Sequence, residues 1–490
     1  MEPMTVTSVS RGSSSQSGPQ ANGPAAVAVL IYLGFSLQLL QVGIIPLLPL
    51  IGRNLHIAPG STSWLVTASL LSGAICLAVL TRLADLIGKR RVVVLCLVLV
   101  LAGSVLGWVA QSLTALIISR VLMGAVFPML ALPEAIAADT MPAKRAQVTI
   151  GAIHAGTGIG VAGGLLLGSL AGAGDASWRT FFVAGAIASV LGIAATLALV
   201  RDSPARASGR LDGVGAALLS AGLIGLLLAF SEGPTWGWAS ASVLGVGIGG
   251  LVLLALWWRW EQRVAEPLIS VEHLLRRDMR IPYAVTFLVA FGIYAALTAI
   301  ARIAQMPTKT GFGYGFTTLQ VAWYAIPEAL GAVAGLILIR RLVPRGRVVQ
   351  ALTIGTGLVV LAFLMFGLFV RLPGLTLAAL MVDSAGLAVT LAVTQIIIVR
   401  AVGPAESGIA LGLTIVLYAL GNTVGSAVVA VLFKSLTIGH TVLPSLAAFR
   451  WAFALSGLAA VVAVGLCGLL ARRREGAARD ESAVNSQVTV

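Results

Sequence analysis

Fourteen stretches of apolar sequence, each about as long as a bilayer is thick, constrain this chain more than any other feature. They fall at 25–49, 62–80, 92–111, 113–138, 146–173, 178–200, 212–231, 241–259, 281–301, 318–340, 348–370, 373–399, 406–433 and 450–472. A spanning helix needs about 20 apolar residues, and lipid is the one solvent that tolerates so many apolar outer faces. Of the 490 residues, 58% are hydrophobic and 10% charged, against about a quarter charged in soluble proteins. The pattern predicts an all-α membrane protein with fourteen transmembrane helices. Gln111 and Ser112 divide the stretch 92–138, which as one helix would outrun the bilayer.

The net charge of +14 sits in short loops between apolar runs, where it orients helices rather than binding nucleic acid. With the N-terminus inside, loops on that side hold 24 of the 32 basic residues, and the opposite side holds seven. This asymmetry places both termini in the cytoplasm. Residues 1–24 are polar and rich in Ser and Gly, without the charged start or cleavage site of a signal peptide, and read as a disordered cytoplasmic tail. Arg outnumbers Lys 28 to 4, a bias that fits a GC-rich bacterial source and hence a bacterial inner membrane. Cys76, Cys96 and Cys467 all lie inside apolar runs and form no disulfide or metal framework. With no G-x-x-x-x-G-K-[ST] loop and no metal-ligand spacing, the sequence suggests no enzyme, no cofactor and no metal.

The runs group into two six-helix bundles, 25–200 and 281–472. Two inserted helices and a cytoplasmic linker occupy 201–280, and a cytoplasmic tail follows at 473–490. Tight basic turns with a single Gly recur at matching places in the two blocks, at 82–91 and 340–347, a weak internal symmetry of the kind found in transporters.

These features resemble the major facilitator superfamily, specifically its fourteen-helix drug:proton antiporter branch. Leu83, Ala84, Asp85, Gly88, Lys89 and Arg90 match the signature loop G-x-L-A-D-x-x-G-R-K, with Thr81 in place of the first Gly. Arg120 and Gly124 match the R-x-x-x-G motif of helix 4. Gly156, Gly160, Gly164, Gly168 and Gly172 look like the helix 5 antiporter pattern, with Leu165 where that pattern has Pro. Leu211-Asp212-Gly213, Gly237-Trp238 and Glu266-Pro267-Leu268 are similar to the branch around its inserted helices. Gln41 stands where the branch commonly carries an Asp, so any proton coupling is expected elsewhere.

Charges within spans are costly and default to function. Glu328 is the first candidate for proton coupling, Asp383 the second and Glu134 the third; the competing reading is a fixed ion pair with an Arg such as Arg120 or Arg302. Gln38, Gln41, Arg120, Tyr294, Gln305, Trp323, Tyr324, Gln395, Tyr418 and Asn422 offer the hydrogen bonds and aromatic faces that suit an amphipathic solute. The resemblance implies a cytoplasmic gate at Asp85, Gly88, Lys89, Arg90, Asp139 and Arg145, which Glu134 could join. Four-residue spacing puts the helix 5 glycines on one face, expected either to pack statically or to slide against a helix of the second bundle. His154 reads as a packing residue.

The expected function is export of hydrophobic or amphipathic organic molecules by alternating access, coupled to proton influx, by a monomer in the cell membrane. Its partners would be the lipid bilayer, a small organic substrate and protons, with no nucleic acid. Two other readings stay open: a uniporter or importer of a metabolite, in line with Gln41 and Leu165, and a scaffold or sensor that transports nothing.

Overall fold

The computed structural model describes residues 22–56, 62, 64–172, 177–203, 212–264, 277–317, 320, 323–402, 407–439 and 443–488. The first bundle contains α1 (Pro24–Val42, continued past a 3-10 turn by Leu48–Asn54), α2 (Trp64–Ile87), α3 (Lys89–Val109), α4 (Leu113–Met123 and Pro128–Thr140), α5 (Ala143–Ala171) and α6 (Arg179–Leu199). Then come α7 (Gly213–Trp236) and α8 (Ala241–Glu261). The second bundle contains α9 (Arg277–Gln305), α10 (Ala325–Leu342), α11 (Val348–Leu368), α12 (Pro373–Ala401), α13 (Ser407–Ser435) and α14 (Leu446–Val488). Among the described residues there is no strand beyond one isolated bridge, Thr437–Pro444. Twelve of the helices are long and apolar enough to cross a membrane; α10 and α13 do not reach that standard over their described residues.

Local chemistry sets the breaks. Ser112 accepts a hydrogen bond from the Ala115 amide at the start of α4, and Asp212 and Ser240 cap α7 and α8 in the same way. Pro128 has no amide hydrogen to continue α4; a 3-10 turn at Gly124–Val126 precedes it and the helix restarts at Pro128. The stretch expected as a loop at 82–91 is almost entirely helical. Only Gly88, at φ 112°, separates α2 from α3. Asp85 and Lys89 therefore sit on helix ends, where their pairing lets both stay buried. The last helix runs past the basic cluster to Val488.

One core packs α1–α6 around Leu30, Trp178, Phe181 and Phe182, and a second packs α9–α14 around Phe363, Phe366, Phe449 and Phe453. Each core borrows one residue from the other half: Leu411 of α13 joins the first and Ile150 of α5 joins the second. The halves meet along two seams, α5 against α10 and α12, and α2 and α4 against α13. The α7–α8 hairpin packs on α2 and α13, over the second seam. Leu71 and Val79 of α2 and Leu420 of α13 lie against its small core.

The helix 5 glycine stripe does not face the second bundle. A Cβ on Gly156 or Gly164 would press on the carbonyl oxygens of Ile31 and Leu39, one on Gly160 or Gly168 on those of Phe35 and Gly43, and one on Gly172 would approach Leu47. All five contacts are with α1 and its continuation, because small residues let neighbouring backbones close up. Gly421 and Gly425 of α13 repeat the arrangement against Phe287 and Phe291 of α9, so the two bundles share a backbone-to-backbone seam that loop comparison alone did not reveal. The glycines of α5 that do face α10 are Gly151, against Ile339, and Gly158, against Ala332.

Candidate functional site

Between the bundles lies a cavity of about 80 Å³. Seven helices supply its wall: Gln38 and Val42 of α1, Leu130 of α4, His154, Thr157 and Val161 of α5, Ile293, Tyr294 and Leu297 of α9, Glu328 of α10, Ser384, Leu391 and Gln395 of α12, and Thr414 and Tyr418 of α13 among others. Both bundles contribute.

Glu328 lies in the first turn of α10 rather than near a helix middle, because α10 begins only at Ala325. Pro327 is tolerated there, since first-turn amides have no intrahelical partner, and a helix N-terminus favours a carboxylate. The Ser384 hydroxyl donates to the Glu328 carbonyl at 2.6 Å, tying α10 to α12. One residue before Ser384, Asp383 is buried and stands within the electrostatic reach of Glu328. Tyr294 of α9 and Tyr418 of α13 line the same cavity as Glu328. Among the described residues, neither Glu328 nor Asp383 forms an ion pair, so the expected alternative of a fixed pair with Arg120 or Arg302 is absent.

Glu134 is fully buried, and its carboxylate lies 2.8 Å from Nε2 of His154. It therefore stands behind the cavity wall, against His154, rather than with Asp139 and Arg145. His154, read from sequence as packing, lines the cavity as the partner of Glu134. Spacing along the chain could not reveal a pair made between α4 and α5.

Of the residues expected in the cavity, Gln38, Tyr294, Gln395 and Tyr418 line it. The others do not. Arg120 is 1% exposed and donates to the carbonyls of Leu65 and Leu40, bracing α4 against α2 and α1. Gln41 accepts from Ser69 of α2 at 3.2 Å. Gln305 donates to its own helix, at the Ala301 carbonyl. Trp323 is 63% exposed in the turn before α10, and Tyr324 packs against Phe316. The Asn422 amide, turned with its nitrogen toward them, donates to the carbonyls of Tyr418 and Ala290.

The expected gate residues form a network at one end of the first bundle. Lys89 of α3, buried, bridges Asp85 of α2 and Asp139 of α4. Asp139 also accepts from Ser203, and Asp202 accepts from the amides of Arg90 and Ser203. The Arg90 guanidinium donates to the Leu197 carbonyl. A Cβ on Gly88 would collide with the Asp202 carboxylate. Arg145 forms no ion pair in this network. Every partner named belongs to the first bundle or to the segment just after α6, so these charge pairs brace that bundle.

The comparisons with known proteins agree with this architecture. Residues 25–255 match the model of the Major Facilitator Superfamily. Similar proteins include the uncharacterized MFS-type transporter Rv1877 of Mycobacterium tuberculosis, 30% identical over 59% of this chain and 42% of that protein. The tetracenomycin C resistance and export protein of Streptomyces glaucescens is 25% identical over 79% of this chain and 71% of its own. The chain thus spans well under two thirds of the length of the first of these relatives. Among solved structures, the human organic anion transporter MFSD10 superposes with a TM-score of 0.66 at 18% identity, covering 91% of this chain and all of that one. With the all-helical fold and the spans together, the chain is a multi-pass membrane protein whose residues 25–255 are similar to the major facilitator superfamily.

Proposed function

We propose that the chain is a fourteen-span secondary transporter of the drug:proton antiporter branch that exports hydrophobic or amphipathic organic molecules by alternating access. In this reading α10 and α13 cross the bilayer as well, both termini are cytoplasmic, and a monomer in the cell membrane does the work. The observation that carries it is the Glu328 carboxyl. It stands in the wall of a cavity built by both bundles, with no basic partner among the described residues. A half-buried carboxyl without a counter-ion is favoured in its protonated form over its charged one, so a proton gradient could drive its reloading, with Asp383 as the second carrier. The relative named for tetracenomycin C resistance and export supports the outward direction.

Everted membrane vesicles test this reading. Accumulation of a lipophilic fluorescent dye should depend on the proton gradient and vanish in Glu328→Gln. Accumulation that survives collapse of the gradient, or a normal rate in Glu328→Gln, would overturn it.

A further inference from the structure

Away from the central cavity, a second gap of about 190 Å³ runs between the end of α7 and one face of α13. Local chemistry builds its first wall. Gly237, at φ 87°, turns the chain back after α7, a conformation that glycine adopts freely. Trp238 then folds over α7. Its ring covers Gly233, where any Cβ would strike it, and meets Phe230 edge to face with 6.0 Å between ring centroids. The second wall is a stripe on α13 that includes Val424, Val428 and Val431, whose spacing of four and three residues keeps them on one face. All seven side chains that line the groove are apolar or aromatic, and Val431 is 41% exposed at its rim.

The same stripe ends in a charge. Lys434 lies three residues past Val431, on the same side of the helix. It is exposed and forms no ion pair among the described residues. No acidic residue occurs anywhere in α13, and the single one in α7, Glu232, is buried with a partner of its own. A cavity of about 150 Å³ is enough to hold benzene, so this groove admits a stretch of hydrocarbon chain. It is too small for another helix, which is about 10 Å across. Plain hydrocarbon would fill the slot but leave Lys434 unused, whereas a lipid phosphate would meet an ammonium that a long side chain carries out to the membrane interface. We propose that the groove binds an acyl chain of one anionic phospholipid, with its phosphate on Lys434. The lipid then helps to hold the α7–α8 hairpin against the second bundle.

Phospholipids brominated along their acyl chains quench an indole that they touch, and Trp238 places such an indole in the groove wall. The purified full-length chain in an uncharged detergent is titrated with brominated phosphatidylglycerol or with brominated phosphatidylcholine of identical chains. The quenching due to Trp238 is the part lost in Trp238→Phe, which keeps an aromatic ring over Gly233. Phosphatidylglycerol should reach half of that quenching at about fivefold lower concentration, the advantage of one basic side chain beside an anionic headgroup. Lys434→Gln, at an exposed position, should erase the difference between the lipids and leave quenching by phosphatidylcholine unchanged. Val428→Phe, which fills the groove, should remove the Trp238 share for both lipids and so gives a second reading of it where Trp238→Phe fails to fold. Equal action of the two lipids on the parent chain, an advantage that survives Lys434→Gln, or undiminished quenching in Val428→Phe would overturn the assignment. A dimer that forms when lipid is withheld and is blocked by Val428→Phe would mean that a second copy covers this face, and would overturn it as well.

Discussion

Nε2 of His154 lies 2.8 Å from Oε1 of Glu134, joining α5 to α4 inside the first bundle, with Glu134 wholly out of contact with solvent. Removing one member of a buried pair strands the other. His154→Ala should therefore cost about 3–5 kcal/mol of stability. Glu134→Gln, which keeps the shape and removes the charge, should cost less, about 1–3 kcal/mol. Denaturation of the purified proteins in detergent checks the order. A His154→Ala variant as stable as its parent would show that the two groups do not depend on each other.

The two kinds of glycine in this chain should respond oppositely to a methyl group. A Cβ at Gly160 has the Phe35 carbonyl in its way, whereas a Cβ at Gly245 of α8 meets nothing within 4 Å. Gly160→Ala should destabilise by about 1–3 kcal/mol through forced separation of α5 from α1. Gly245→Ala should be harmless or stabilise by about 0.5–1 kcal/mol, because Gly is the poorer helix former. Thermal melting of both variants reads the difference, and equal melting temperatures would contradict the packing described for the stripe.

Gly158 and Ala332 place α5 and α10 side by side across the seam between bundles, with the Ala332 methyl 2.6 Å from where a Gly158 Cβ would stand. A disulfide holds its Cβ atoms about 3.8 Å apart, within reach of a small relaxation. Gly158→Cys with Ala332→Cys should cross-link under oxidation, fix the halves in the arrangement seen, and arrest dye accumulation in vesicles until a reductant is added. Full transport by a cross-linked population would mean that this seam does not move.

What the sequence revealed, and what it hid, divides along one line. Position along a helix can be read from spacing. The apolar runs therefore located the helices, and Gln38, Tyr294, Gln395 and Tyr418 were recognisable as polar or aromatic groups that reach the cavity. Which helix stands opposite cannot be read from spacing. The glycines of α5 were visibly one face, yet that face meets α1 instead of the second bundle. Arg120 looked like a cavity charge, but the carbonyls it reaches, Leu65 and Leu40, belong to helices folded beside it. Trp323 and Tyr324 were misplaced for a different reason. The apolar run beginning at 318 suggested helix through both, whereas α10 starts at Ala325. The Glu134–His154 pair joins two helices across twenty positions of sequence, and neither residue announces the other.

The hairpin of α7 and α8 rests on α2 from one half and α13 from the other, so the molecule's two long edges are not equivalent. One edge is upholstered by an extra layer of protein, and the other, where α5 runs beside α10, has no such cover among the described residues. A greasy solute dissolved in the membrane and drifting toward the centre sideways would find a wall on the first edge. In the exporter reading proposed above, the way in would be the second edge, where Ile326 and Leu330 of α10 stand about half exposed on either side of Glu328.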